Sequence, residues 1–154
     1  MRASVLTACL LALVTPALAA PALAQHAAAQ DSVTASRERF AREVLATIAG
    51  RENLPADSVF RNIKVLKGVP AGRLVRMMDM GYGRSLGVSC DHCHNTVEWE
   101  SDEKRPKEIA RQMMGMVGTI NRDLLPRIEN LESERPVVNC TTCHRGSIKP
   151  ALDL

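Results

Sequence analysis

Aromatic side chains are scarce in this sequence: one Trp, one Tyr and two Phe, 3% of 154 residues. A core of ordinary composition cannot be built from so few rings, so Leu, Val, Ile, Ala and Met must supply the apolar surface. Charge of one sign is lacking too. Twenty basic and 17 acidic residues leave a net charge of +3, which gives no compositional reason to expect a nucleic-acid binder. The N-terminal apolar run is too short to be a stable membrane span, and no other segment is long and apolar enough to cross a bilayer. A chain this poor in rings would gain from an extra apolar body. At roughly 25 cal/mol per Å² of apolar surface buried, a few hundred Å² would contribute several kcal/mol.

What is present begins with an export signal. Arg2 supplies a positive start and Val5 to Val14 a short apolar run. Ala17-Leu18-Ala19 and Ala22-Leu23-Ala24 are small-residue cleavage patterns. The expected signal is residues 1–24, with cleavage after Ala24 and Ala19 as the alternative. Almost no apolar stretch precedes Cys9, which argues against a lipoprotein signal at Leu6-Thr7-Ala8-Cys9. The mature protein is therefore expected to be soluble and periplasmic. Residues 25–36, rich in Ala, Gln and Ser, read as a flexible leader, and residues 37–154 as a single domain.

Ser36 to Gly50 carries helical spacing, with Phe40, Val44, Leu45 and Ile48 at three- and four-residue steps and Gly50 as a stop. Val59 to Leu66 reads as a short extended stretch. Ala71 to Met80 reads as a second helix closed by Gly81-Tyr82-Gly83. Asp102 to Asn121 reads as a third, capped by Asp102 with Pro106 in its first turn. On that helix Ile109, Met113, Met116, Val117 and Ile120 share one face, while Met114 points elsewhere. Residues 121–136 read as a polar loop with a short helical turn around Leu124 to Leu131. Leu74-Val75-Arg76-Met77-Met78 is echoed by Ile109-Ala110-Arg111-Gln112-Met113, and Gly87-Val88-Ser89-Cys90 by Val137-Val138-Asn139-Cys140. The chain thus reads as two copies of one unit: a Met-bearing helix, a loop, then Cys-x-x-Cys-His.

Those two motifs, Cys90-Asp91-His92-Cys93-His94 and Cys140-Thr141-Thr142-Cys143-His144, have the pattern of c-type haem attachment. Two thiols add to the two vinyl groups of the porphyrin, and the two-residue spacer matches the vinyl separation. The His directly after the second Cys lies where its imidazole reaches iron. The macrocycle is also the apolar body that the composition calls for. A zinc ribbon spaces its Cys pairs by about 15–20 residues, and the gap here is far longer. Neither zinc nor two disulfides explains a His after both pairs, and a thioredoxin-like dithiol needs a βαβ context that is not evident.

Distal ligands must come from elsewhere. His26 lies in the leader and His92 inside an attachment loop, and nothing after His144 is Met or His. The candidates are Met77, Met78 and Met80 before the first motif, and Met113, Met114 and Met116 before the second, one cluster per haem.

From about Phe60 to Pro150 the chain resembles the haem-binding segment of the photosynthetic reaction-centre cytochrome c subunit and its two-haem relatives. The resemblance rests on Phe60-Arg61-Asn62-Ile63-Lys64-Val65-Leu66, Ser85-Leu86-Gly87-Val88, Ala110-Arg111-Gln112-Met113 through Ile120-Asn121, and Cys143-His144-Arg145-Gly146. It implies a mostly α fold, a small multihaem c-type cytochrome in which two helix–turn–Cys-x-x-Cys-His units pack around two covalent haems. It implies thioethers at Cys90, Cys93, Cys140 and Cys143, and axial pairs Met78/His94 and Met113/His144. Met77 and Met80, and Met116, remain alternatives. The four-haem subunits carry a further His after the second helix, and the region around Arg127 has none, so a two-haem module is implied.

Six-coordinate His/Met iron suits electron transfer. The expected function is therefore a carrier or relay between redox partner proteins, among them a membrane respiratory or photosynthetic complex. No nucleic acid and no small-molecule substrate is expected. The competing reading is a small di-haem enzyme of the peroxidase type, which needs one iron to lose its distal ligand, and no separate catalytic constellation is apparent. A basic stretch (Arg61, Lys64, Lys67, Arg73, Arg76, Arg84) and an acidic run (Glu98, Glu100, Asp102, Glu103) read either as docking charges or as solvated faces.

Overall fold

The computed structural model describes residues 19–152. Most of the expected export signal lies outside that range. The described residues are mostly helical, and the only β pairing among them is an isolated antiparallel bridge between Pro55 and Pro70. The elements are α1 (Ala19–Thr47), α2 (Ala56–Val59), α3 (Ala71–Arg76), α4 (Arg84–Leu86), α5 (Arg105–Thr119) and α6 (Cys140–His144). Wide π turns over Met77–Gly83 join α3 to α4, and a second such segment, Ile120–Leu124, follows α5.

The segment expected to be a flexible leader, 25–36, is part of α1. No Pro or Gly interrupts residues 23–49, and Ala and Gln are strong helix formers, so the helix of 36–47 extends back through the Ala-rich stretch. It ends as expected, with Gly50 at φ 79°. Its last turns meet α3 in a small core of Ile48, Ala71 and Val75, flanked by Ala41, Val44, Leu45, Val59 and Phe60. Backbone bonds from Ala56 N–H to the Val69 carbonyl (2.7 Å), Ala71 N–H to Leu54 (2.9 Å) and Gly72 N–H to Glu52 (2.8 Å) close the loop beneath it. The stretch 59–66 is not extended, because Asn62 and Leu66 take left-handed backbone angles of 61° and 62° and fold it back.

Helix α3 does not stop at Gly81-Tyr82-Gly83. The π turns carry it into α4, and the left-handed residue that ends it is Gly87, φ 67°. Gly83 serves a different purpose: a Cβ there would come within 2.5 Å of Arg37 Cδ. Arg37 crosses that gap from α1, and its Nε donates to Asp79 Oδ1 at 2.9 Å in an ion pair whose side chains are 7% and 17% exposed. Ser89 Oγ donates to Ser36 Oγ (2.8 Å) one step before the first attachment motif. Helix α1 thereby holds both the Met-bearing turns and the Cys-bearing loop of the first unit.

The third predicted helix starts later than its expected cap. Lys104 occupies the N-cap position with no side-chain bond, and Pro106 sits in the first turn. The Asp102 carboxylate instead receives Lys64 (2.6 Å), Arg111 (2.9 Å) and Lys107 (3.3 Å). Residues 101–152 contain no buried side chain, and Ile109, Met116, Leu124, Ile128, Val137 and Ile148 stand exposed. The second unit thus has apolar surface but no core of its own.

Candidate functional site

In the first unit the chain turns tightly at the motif. Cys90–His92 form a 3₁₀ turn, and the N–H groups of Cys93 and His94 both return to the Cys90 carbonyl (3.2 and 3.0 Å). One turn of backbone therefore carries both thiols and the imidazole. They line a cavity of about 420 Å³ together with Met78, Tyr82 and Trp99, within the range of cofactor-sized pockets. Of the three methionines preceding this motif, Met78 lines the cavity, Met77 does not, and Met80 is 52% exposed. His92 is not among the lining residues.

His94 Nδ1 lies 3.2 Å from the Trp99 carbonyl. A carbonyl can only accept, so the proton is on Nδ1 and the Nε2 lone pair is left free, the tautomer a metal ligand needs. The imidazole also lies against the Trp99 ring, 5.4 Å between centroids, and Trp99 meets Phe40 edge-on at 5.9 Å. Three of the few aromatic and imidazole rings are thus gathered at this one wall. Burial pushes the His94 pKa down and those of Cys90 and Cys93 up, disfavouring the charged form of each.

The polar rim of the cavity includes Arg61, Lys64, Lys107 and Arg111. These are tied to the acidic run: Arg61 pairs with Glu100, and Lys64, Lys107 and Arg111 converge on Asp102. Two residues of the basic stretch, Arg61 and Lys64, and two of the acidic run, Glu100 and Asp102, therefore face each other within the molecule. Hydrogen bonds, first from Arg111 and then from Lys64, hold the Asp102 carboxyl well below the usual carboxylate range. A carboxylate with a depressed folded-state pKa contributes stability that is full above its unfolded value of about 3.9 and is lost as pH falls below it. Asp102→Asn is accordingly expected to lower the urea midpoint at pH 7, with the difference from wild type shrinking steadily below pH 4. A difference that is constant across that range would show that the charge is not what matters.

The second unit repeats the chemistry on a different local frame. Asn139 caps α6 in a reciprocal box, its side chain accepting from Thr142 N–H (3.2 Å) while Thr142 Oγ1 accepts from Asn139 N–H (3.0 Å). Asn121 clasps the preceding residue from both sides, donating to the Val138 carbonyl (2.9 Å) and accepting from Val138 N–H (2.8 Å). Cys140, Cys143 and His144 follow on one helical turn. His144 Nδ1 lies 3.0 Å from the Ser147 carbonyl, and the same reasoning leaves its Nε2 free. Met113 is half-buried on α5 and Met116 is 47% exposed. Met114, expected to point elsewhere, accepts a hydrogen bond from the Tyr82 hydroxyl on its sulfur (2.9 Å) and so ties α5 to the first unit.

The two units are in direct contact. Ser85 is 3% exposed; its hydroxyl lies 2.5 Å from Thr141 Oγ1 and its carbonyl accepts from Gly146 N–H at 2.8 Å. The second motif thus rests on the end of the helix that leads into the first. Sequence reading did not find this seam, nor the Arg37–Asp79 pair, nor the Lys107 contacts described below. All join residues with no periodic relation.

Two thiols and an imidazole on one turn, facing an apolar cavity with a thioether sulfur at its wall, are the arrangement that attachment of a c-type haem requires. Residues 19–152 match the family described as the photosynthetic reaction centre cytochrome C subunit, and the chain belongs to that family, as the sequence resemblance implied. It is 31% identical over 86 residues to cytochrome c-554 of Chloroflexus aurantiacus, covering 56% of this chain and 20% of that protein. It is 31% identical over 96 residues to the photosynthetic reaction center cytochrome c subunit of Thermochromatium tepidum, covering 62% and 22%. The corresponding subunit of Rubrivivax gelatinosus is 28% identical over 108 residues, 70% and 28%. The matched stretches span less than a third of each relative. Membership implies covalently bound c-type haem, and the first unit fits one through its cavity, its paired thiols and its free Nε2. No helix among the described residues is long and apolar enough to cross a membrane.

Proposed function

We propose that this protein is a periplasmic two-haem electron carrier, exported by cleavage of residues 1–24 and passing electrons between redox proteins, a membrane respiratory or photosynthetic complex among them. The observation that carries the reading is that both motif histidines donate Nδ1–H to a backbone carbonyl and offer Nε2 (3.2 Å at Trp99, 3.0 Å at Ser147). A haem held at each motif supplies a reversible one-electron change at iron.

The residues of the chain hold and tune that group. Cys90 and Cys93 would hold the first through thioethers, with His94 and Met78 as ligands to its iron; Cys140 and Cys143 would hold the second, with His144 and Met113 as ligands. A thioether opposite an imidazole favours the reduced state relative to harder ligand sets. With an imidazole and a thioether offered at each motif, the chemistry the group would supply is electron transfer rather than bond-making. Visible and near-infrared spectra of the purified holoprotein test this. Low-spin haem throughout, with a methionine–iron charge-transfer band, is the expected result. A high-spin fraction with peroxide turnover would replace the carrier by an enzyme.

A further inference from the structure

The two motif histidines share a tautomer but not an environment. The Trp99 carbonyl that receives His94 Nδ1–H also accepts from the Lys107 ammonium at 3.0 Å. Lys107 is 11% exposed on its side chain and spends its other two donors on the carbonyls of Glu100 (3.0 Å) and Ser101 (2.7 Å). An ammonium has three donors, so Lys107 is fully engaged and fixed. The Ser147 carbonyl opposite His144 lies on an exposed turn, and among the described residues no lysine or arginine side chain hydrogen-bonds to it.

Resting on the reading that His94 and His144 are the proximal ligands, we propose that Lys107 is a positioning residue that makes the first haem site the higher in potential of the two. A carbonyl that accepts from Nδ1–H pushes electron density into the imidazole and makes Nε2 a stronger donor to the metal, which favours oxidised iron. A cation on the same oxygen draws density the other way, so His94 is the weaker donor of the two histidines. The ammonium's own field acts in the same direction, because a nearby positive charge in a half-buried site stabilises the form with one more electron. Asp102, 3.3 Å from Lys107 and shared with Lys64 and Arg111, offsets part of this field. At His144 no cation shares the accepting carbonyl among the described residues.

The test is a spectroelectrochemical titration of the holoprotein. Lys107→Met and Lys107→Gln are expected to lower the higher of the two potentials by about tenfold in the reduction equilibrium, 59 mV for a one-electron couple, and to leave the lower one in place. Lys107→Arg should keep most of the difference. The Nδ1–H proton resonance of His94 should move in Lys107→Met while that of His144 does not. Asp102→Asn keeps the Lys107 contacts but removes the counter-charge, and should raise the same potential; loosening of the site would lower it instead, so the sign separates the field from damage. Both potentials moving together, neither moving, or Asp102→Asn lowering the higher one would overturn the proposal. A wild-type protein without haem at the first motif would sink the functional reading itself, whereas two normal haems indifferent to Lys107 would remove only this inference.

Discussion

Replacing Gly87 by alanine is expected to cost about 3 kcal/mol or more of stability and to separate the two halves of the protein. Gly87 has a φ of 67°, and a Cβ there would lie 2.1 Å from the Gly146 carbonyl oxygen and 3.0 Å from its carbon. The left-handed conformation alone costs an alanine roughly 1–2 kcal/mol. The clash is with backbone rather than with a flexible side chain, so it can be relieved only by moving the second motif away from the first. That movement breaks the bond from Gly146 N–H to the Ser85 carbonyl and strands the buried Ser85 hydroxyl from Thr141, at about 1 kcal/mol or more for each group left unsatisfied. Gly50→Ala is the internal control. Its φ is 79° but nothing lies within 4 Å, so it should show the conformational part alone. Guanidinium unfolding of the two variants measures the difference, and equal shifts would show that the seam contributes nothing.

Met78→Ala is expected to convert one haem of two from low spin to high spin, or to a new ligand set, while the other keeps its spectrum. The sulfur would then be missing from the wall of the cavity that holds Cys90, Cys93 and His94, and no second thioether is placed to replace it. Met80 is turned to solvent and Met77 is not at the cavity wall, so Met77→Ala and Met80→Ala should leave both haems six-coordinate. Loss of the axial thioether also lowers the potential of that site, since methionine ligation raises it. The parallel change Met113→Ala should act on the other haem, with Met116→Ala silent. Magnetic circular dichroism of the oxidised proteins counts the affected irons. A Met78→Ala protein with two unaltered methionine–iron signals would reject this ligand, and a change in Met77→Ala or Met80→Ala would transfer the role.

The grouping of each motif's cysteines and histidine on one turn was legible in the sequence because it is short-range and fixed by residue spacing. Cys90, Cys93 and His94 must share one turn to reach one macrocycle, and so must Cys140, Cys143 and His144. The helices around them were legible from apolar periodicity, although their ends were not. Gly83 looks like a stop, yet it is the gap through which Arg37 reaches Asp79, 42 residues away in the chain. Asp102 looks like a cap, yet three cations from two segments claim it. Residues 25–36 lack an apolar stripe and so read as loose, whereas their alanines simply continue the helix that follows. In each case a tertiary partner or a backbone propensity outweighed the local pattern, and no spacing rule links Lys107 to the carbonyl beside His94.

The central claim is that both motifs carry haem on one chain. Mass spectrometry of the intact, purified periplasmic protein, read with its haem absorbance per polypeptide, tests it most directly. Two covalent haems on a chain beginning after Ala24 are predicted, falling to one when Cys140 and Cys143 are replaced together. A wild-type protein that carries a single haem, or none, would contradict the account.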